Sequence, residues 1–180
     1  MPTILTEKHA LSPWAKGGIG LGAGFVVLVL IGLLFPTAAA FFPLVSLWCS
    51  CVLFYGCLWV LRVAGVELDF FHRAVLVACW AGMVLYFYWA LGRRQFIYAW
   101  DYVNYIQKQF DTEAAFALGP LAGLRYILST FSEDYTNFIT LFTEFPFCLT
   151  AKTGDSYAFA QVFCILPSLM LMLAGLTLKI

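Results

Sequence analysis

Three carboxylates, Asp101, Glu133 and Asp134, stand where the rest of the sequence gives least reason to place charge. Asp101 lies just beyond a hydrophobic segment, in Tyr98-Ala99-Trp100-Asp101-Tyr102-Val103-Asn104-Tyr105. Glu133 and Asp134 follow about thirty residues later, in Ser132-Glu133-Asp134-Tyr135-Thr136-Asn137, between two amphipathic patterns. A carboxylate at a membrane boundary can act as general base, and paired acids can hold a divalent cation. The same residues also have structural readings. Asp101 can cap the helix that follows it, and Asp134 can cap the backbone of Thr136 or Asn137. Glu133 can be solvated, and Arg125 can pair with lipid phosphate.

These groups belong to a chain that is otherwise membrane-like. Its 180 residues are 63% hydrophobic, 18% aromatic and 11% charged, far below the roughly one quarter charged residues of soluble domains. The net charge is zero, so no field favours nucleic acid as a partner. Five of the six cysteines, Cys49, Cys51, Cys57, Cys79 and Cys164, fall inside hydrophobic segments and read as core thiols, while Cys148 lies near the polar stretch. Glu7, Lys8, His9 and Pro13 precede the first apolar run, so that run reads as a retained anchor and not as a signal peptide.

From Gly17 to Leu61 there are 45 residues without a charge, about 67 Å if helical and roughly twice a bilayer core. Pro36 and Pro43 divide this run into spans of about 17–35 and 41–61. A charged connector, Arg62 to Arg73, leads to a third span of about 74–92, and a fourth runs over about 156–178 with Pro167 as a kink. The glycines of the first span have no preceding strand and no following Lys-Ser or Lys-Thr. They suit helix packing through Gly18–Gly22 and Gly20–Gly24, not a phosphate loop. Aromatic residues of the third span read as an interfacial belt and His72 as a boundary residue. The uncharged Thr37 to Phe42 turn, set against Lys8, Lys16, Arg62, Arg73 and Lys179, predicts a cytoplasmic N-terminus and a polar stretch facing outward.

Twelve of the twenty charged residues lie between Arg93 and Asp155, which predicts an external loop over 93–155 with three helical patterns. In the first, Asp101, Tyr105 and Lys108 share a face and Val103, Ile106 and Phe110 form an apolar side. The second starts at Gly119-Pro120 and gathers Leu121, Leu124, Ile127, Leu128 and Phe131 into one stripe. The third opposes Phe138, Ile139, Leu141, Phe142 and Phe145 to Thr136, Asn137, Thr140, Thr143 and Glu144, and Pro146 is expected to end it. The second and third patterns are expected to lie flat on the membrane surface. The predicted fold is all-α and integral to the membrane. It has a three-span region over 1–92, an external loop of interfacial helices between the third and fourth spans, and the last span within 156–180.

Trp100-Asp101-Tyr102, Gly119-Pro120-Leu121-Ala122-Gly123-Leu124, Glu133-Asp134-Tyr135-Thr136-Asn137 and Gly154-Asp155-Ser156 together resemble the first large external loop of bacterial membrane glycosyltransferases of the C-type superfamily. These are relatives of protein mannosyltransferases and aminoarabinose transferases, and the resemblance covers roughly residues 93 to 178. It implies a polyprenyl-phosphate-linked sugar as donor, a glycan, lipid or protein as acceptor, and a site at the outer face of the bacterial cytoplasmic membrane. Asp101 would be the catalytic base and Asp134, with Glu133, the second acidic position. Tyr102, Tyr105, Tyr135 and Asn137 would line the substrate site, and Arg125 would meet lipid-linked phosphate on its chemistry. No cofactor is required, although some members place a divalent cation between paired acids, here Asp101 and Asp134. Such enzymes have many more spans, so the chain is expected to be the N-terminal portion of one. The alternative is a non-enzymatic four-span accessory or structural protein whose acids are caps.

Overall fold

The computed structural model of the chain describes residues 12–36, 39–91, 93, 100–133 and 136–179. Regular structure within them is entirely helical: α1 (Pro13–Leu34), α2 (Phe41–Val63), α3 (Phe70–Leu91), α4 (Trp100–Ala117), α5 (Pro120–Ser129), a 3-10 turn (Asn137–Ile139), α6 (Thr140–Cys148) and α7 (Gly154–Lys179). Among the described residues four helices are long and apolar enough to cross a membrane, Pro13–Leu34, Phe41–Val63, Phe70–Ala90 and Gly154–Leu178. The chain is a multi-pass membrane protein. Two spans begin earlier than their apolar runs. The Ser12 hydroxyl accepts from Ala15 N at 3.2 Å ahead of Pro13, and Asp69 Oδ1 accepts from His72 N at 2.8 Å ahead of α3. Polar caps thus recruit a flanking turn into each helix.

Glycine does set the distance between α1 and α2, at Gly24 as expected and otherwise at Gly17 and Gly32. A Cβ at Gly17 would meet the Tyr55 ring at 2.8 Å, one at Gly24 the Trp48 ring at 3.3 Å, and one at Gly32 the Phe41 ring at 2.9 Å. Gly20 and Gly22 face open space. The spacing of seven and eight residues follows one helical face, along which aromatic rings of α2 dock and are then pinned to α1 carbonyls. Trp48 Nε1 donates to Leu21 O at 3.0 Å and Tyr55 Oη to Trp14 O at 2.7 Å.

α7 is the common support. Both α2 and α3 pack along it and barely touch one another. Close to the start of α2, α6 fits between α2 and α7. It runs antiparallel to α2: Phe145 N donates to Ser46 Oγ at 2.9 Å and Ser50 Oγ approaches Phe142 O at 3.5 Å. Pro146, expected to end this helix, lies inside it. Proline removes the amide that would satisfy Phe142 O, and the two serines of α2 serve the backbone groups beside the break.

The polar and apolar faces of the segment between α3 and α7 are arranged differently from expectation. α4 and α6 are parallel neighbours, joined back by α5. The polar side of the third pattern, Asn137, Thr140, Thr143 and Glu144, is buried, together with Gln109 and Thr112 of α4. Apolar Val103, Leu121, Leu124, Leu128, Phe131 and Phe138 are exposed. The stripe predicted for α5 is present, but Ile127 leaves it to join a core of Phe41, Phe42 and Phe116. α5 starts as predicted, because Gly119 at φ +134° makes the sharp entry that Pro120 then continues as helix.

Candidate functional site

The residues predicted to act fall into three groups. Asp134 and Tyr135 lie outside the described residues. Asp101 and Tyr102 are the second and third residues of α4, with side chains outside the description. The remaining four are placed. Tyr105 is half-buried, Glu133 and Arg125 are exposed, and Asn137 is fully buried. A divalent cation between Asp101 and Asp134 therefore also falls outside the described residues.

Tyr105, one helical turn after Asp101, lines a cleft of about 390 Å³ with Leu53, Thr136, Phe138, Ile139 and Phe142. The parallel course of α4 and α6 brings their N-terminal ends to this cleft. Lys108, the next turn of α4, donates to Glu133 Oε2 at 2.6 Å and ties α4 to the acidic turn that follows α5. The cap ahead of the 3-10 turn is Thr136, whose Oγ1 accepts from Phe138 N at 3.2 Å, while Asn137 N donates to Thr130 Oγ1 at 2.9 Å. The amide expected to be capped by Asp134 at Asn137 is thus held by a threonine.

Behind the cleft lies a buried polar core. Gln109 Nε2 donates to Glu144 Oε2 at 2.5 Å, and Gln109 Oε1 accepts from Thr143 Oγ1 at 2.7 Å. All three side chains are fully buried. Glu144 Oε1 and both amide atoms of Asn137 have no partner among the described residues, an arrangement costly enough to mark a specialised interior. At the top of the core the Lys152 ammonium pairs with the Glu113 carboxylate. Lys152 takes a left-handed backbone conformation, φ 53°, in the turn between α6 and α7, a strained geometry for a residue with a Cβ.

Burial pushes the Glu144 carboxyl up to about 7, and the Glu113 carboxylate adds to the rise. Lys152 and the Gln109 amide oppose it. Glu144 is therefore a proton-binding group near neutral pH, held by one hydrogen bond on Oε2, with Oε1 unpartnered among the described residues. Sequence reasoning set Thr143 and Glu144 together on the polar face of an interfacial helix and gave Gln109, Glu113 and Lys152 no role. The signal lay in its neighbours: a glutamate set among Phe142, Phe145 and Phe147 has poor surroundings for a solvated charge.

No family model matches the chain, and neither a curated protein nor a solved structure matches it.

Proposed function

We propose that the chain is part of a polytopic, inverting glycosyltransferase of a bacterial cytoplasmic membrane, with Asp101 as general base and a polyprenyl-phosphate-linked sugar as donor. In this reading the N-terminus is cytoplasmic, residues 93–155 form the external loop, and the acceptor is an extracytoplasmic glycan, lipid or protein. The observation that carries it is the apolar cleft beside Tyr105. Its lining of Leu53, Phe138, Ile139 and Phe142 suits a prenyl chain, and its rim belongs to the N-terminal end of α4, one turn from Asp101. The first turn of an 18-residue helix favours a nearby phosphate through its dipole. Phosphate leaves the anomeric carbon as a stable anion, so one carboxylate that accepts the acceptor's hydroxyl proton suffices. Glu133, with its salt bridge to Lys108, would hold the acidic turn against α4, and the exposed stripe of α5 would rest on lipid with Arg125 near phosphate.

The accessory-protein reading is favoured by one observation. Asn137, which the resemblance puts in the substrate site, is sealed at 0% exposure and cannot touch a sugar in this arrangement. Sugar transfer from a labelled polyprenyl-phosphate donor decides between the two. Membranes carrying the gene in its natural reading frame should transfer with Asp101 and fail with Asp101→Asn at equal protein level. Equal transfer by both forms removes Asp101 from the mechanism, and transfer by neither supports the accessory protein.

A further inference from the structure

At the opposite end of the bundle from α4 and α5, the separation of α2 from α3 leaves a lateral groove. Its volume is about 960 Å³, at the upper end of the roughly 300–1,000 Å³ typical of single-ligand sites. α7 forms the floor, including Ser168 and Leu171. Phe145 of α6 closes one end and the connector between α2 and α3 closes the other.

The closed connector end is charged. Arg62, Glu67, Asp69 and Arg73 all line it. They are not paired with one another among the described residues. Arg62 lies 5.0 Å over the Trp14 ring, Arg73 Nε donates to Leu68 O at 2.7 Å, and Asp69 is engaged by His72 at 2.7 Å. Two guanidinium groups and the Glu67 carboxylate thus share the mouth of an apolar groove with no ionic partner among the described residues. Two helical turns from Arg73 on the same face of α3, Trp80 lines the groove, and its buried Nε1 donor has no partner among the described residues.

We propose that this groove is a binding site for one membrane phospholipid with a zwitterionic phosphate–amine head group. The phosphate rests on Arg62 and Arg73, the amine on Glu67, and an acyl chain lies along α7. A transmembrane helix is a poorer occupant, because its apolar side chains would leave both guanidinium groups unanswered. Mixed cation and anion at the mouth select a zwitterionic head group over a purely anionic one. The site is independent of the sugar-transfer reading and stands on different residues.

The test is native mass spectrometry of the purified chain, delipidated and then equilibrated with micelles containing equal phosphatidylethanolamine and phosphatidylglycerol. Wild type should retain one phospholipid per chain, with the ethanolamine lipid favoured by about tenfold, the effect of one well-placed charged contact. Arg62→Gln with Arg73→Gln should lower retention by a further factor of about ten or more, since two phosphate contacts are lost. Ser168→Trp on the floor, or Val77→Phe on the α3 wall if the first variant does not fold, should abolish retention while helix content by circular dichroism is unchanged. Wild type that retains no lipid overturns the proposal, as does equal retention by the filled groove. A dimer that must dissociate before lipid binds would give the groove to a second copy, and no head-group preference would overturn the ionic mouth.

Discussion

Gln109 holds Glu144 and Thr143 with opposite ends of one buried amide, donating to the first at 2.5 Å and accepting from the second at 2.7 Å. This joins α4 to α6 through three side chains that are all fully buried. Replacement by leucine strands the Glu144 carboxyl, while the Thr143 hydroxyl keeps its bond to Ile139 O at 3.3 Å. Gln109→Leu is expected to lower stability by about 3 kcal/mol, the cost of leaving such a group unsatisfied. Thermal unfolding in detergent checks this, with Gln107→Ala as control, since the bond from Gln107 to Asp111 is exposed.

The elevated Glu144 carboxyl makes stability depend on pH. Its ordinary value of 4.5 applies to the unfolded chain and about 7 to the folded one, so between these limits the folded state binds more protons. Stability is therefore greatest below about 4.5 and falls as pH rises through about 7, by on the order of 3 kcal/mol in all. Glu144→Gln should flatten this dependence. The infrared band of a protonated carboxyl, absent from that variant, should give the midpoint. Glu113→Gln should lower that midpoint, and Lys152→Met should raise it, because the first removes a repelling charge and the second an attracting one.

The glycines of α1 make a contrast that sequence alone does not offer. Gly20→Leu should be tolerated and Gly32→Leu should not, because a Cβ at Gly32 meets Phe41 at 2.9 Å and Pro120 at 3.2 Å. Overpacking of this kind costs about 1–3 kcal/mol. The yield of monodisperse protein and its melting temperature distinguish the two variants.

If the cleft beside Tyr105 receives a prenyl chain, Phe138 meets it. Its ring packs on Phe131 at 5.7 Å and Phe142 at 5.4 Å yet is 43% exposed. Phe138→Ala should raise KM for a long-chain donor about tenfold, consistent with losing part of a phenyl's burial energy, and leave kcat unchanged. A donor with a shortened prenyl chain should show no difference between variant and wild type. Equal effects on both donors would remove the cleft from donor binding.

The spans were legible because a charge-free run and two prolines leave few alternatives: the break between α1 and α2 beside Pro36, with Pro43 in the first turn of α2, and the helix entry at Gly119-Pro120, are local chemistry. The inward turn of the α6 polar face was not legible, because amphipathicity tells that two faces differ but not which one meets protein. That choice is made by Gln109 and by Ser46 and Ser50, distant in sequence, and only packing reveals them. The α1 glycines were assigned only in part for the same reason, Gly24 facing Trp48 but Gly20 and Gly22 facing open space. Spacing four is frequent by chance in a glycine-rich helix, whereas the positions that matter are those opposite Tyr55, Trp48 and Phe41. Of the candidate site, Asp101 and Tyr105 were chosen from residue types, and the buried carboxyl of Glu144 was missed because its helix was expected to lie on the membrane surface.

The reliance of α3 on α7 has a bearing on biogenesis. A ribosome delivers α1 and α2 first, and these two have aromatic and glycine contacts enough to pair at once. α3 follows without a comparable neighbour, since its packing surface is α7, still to be synthesised. α6 is in the same position, needing α7 on one side and α2 on the other. Until α7 arrives, the third helix waits as a lone hydrophobic guest, and that interval is the one in which an insertase or chaperone has most to protect.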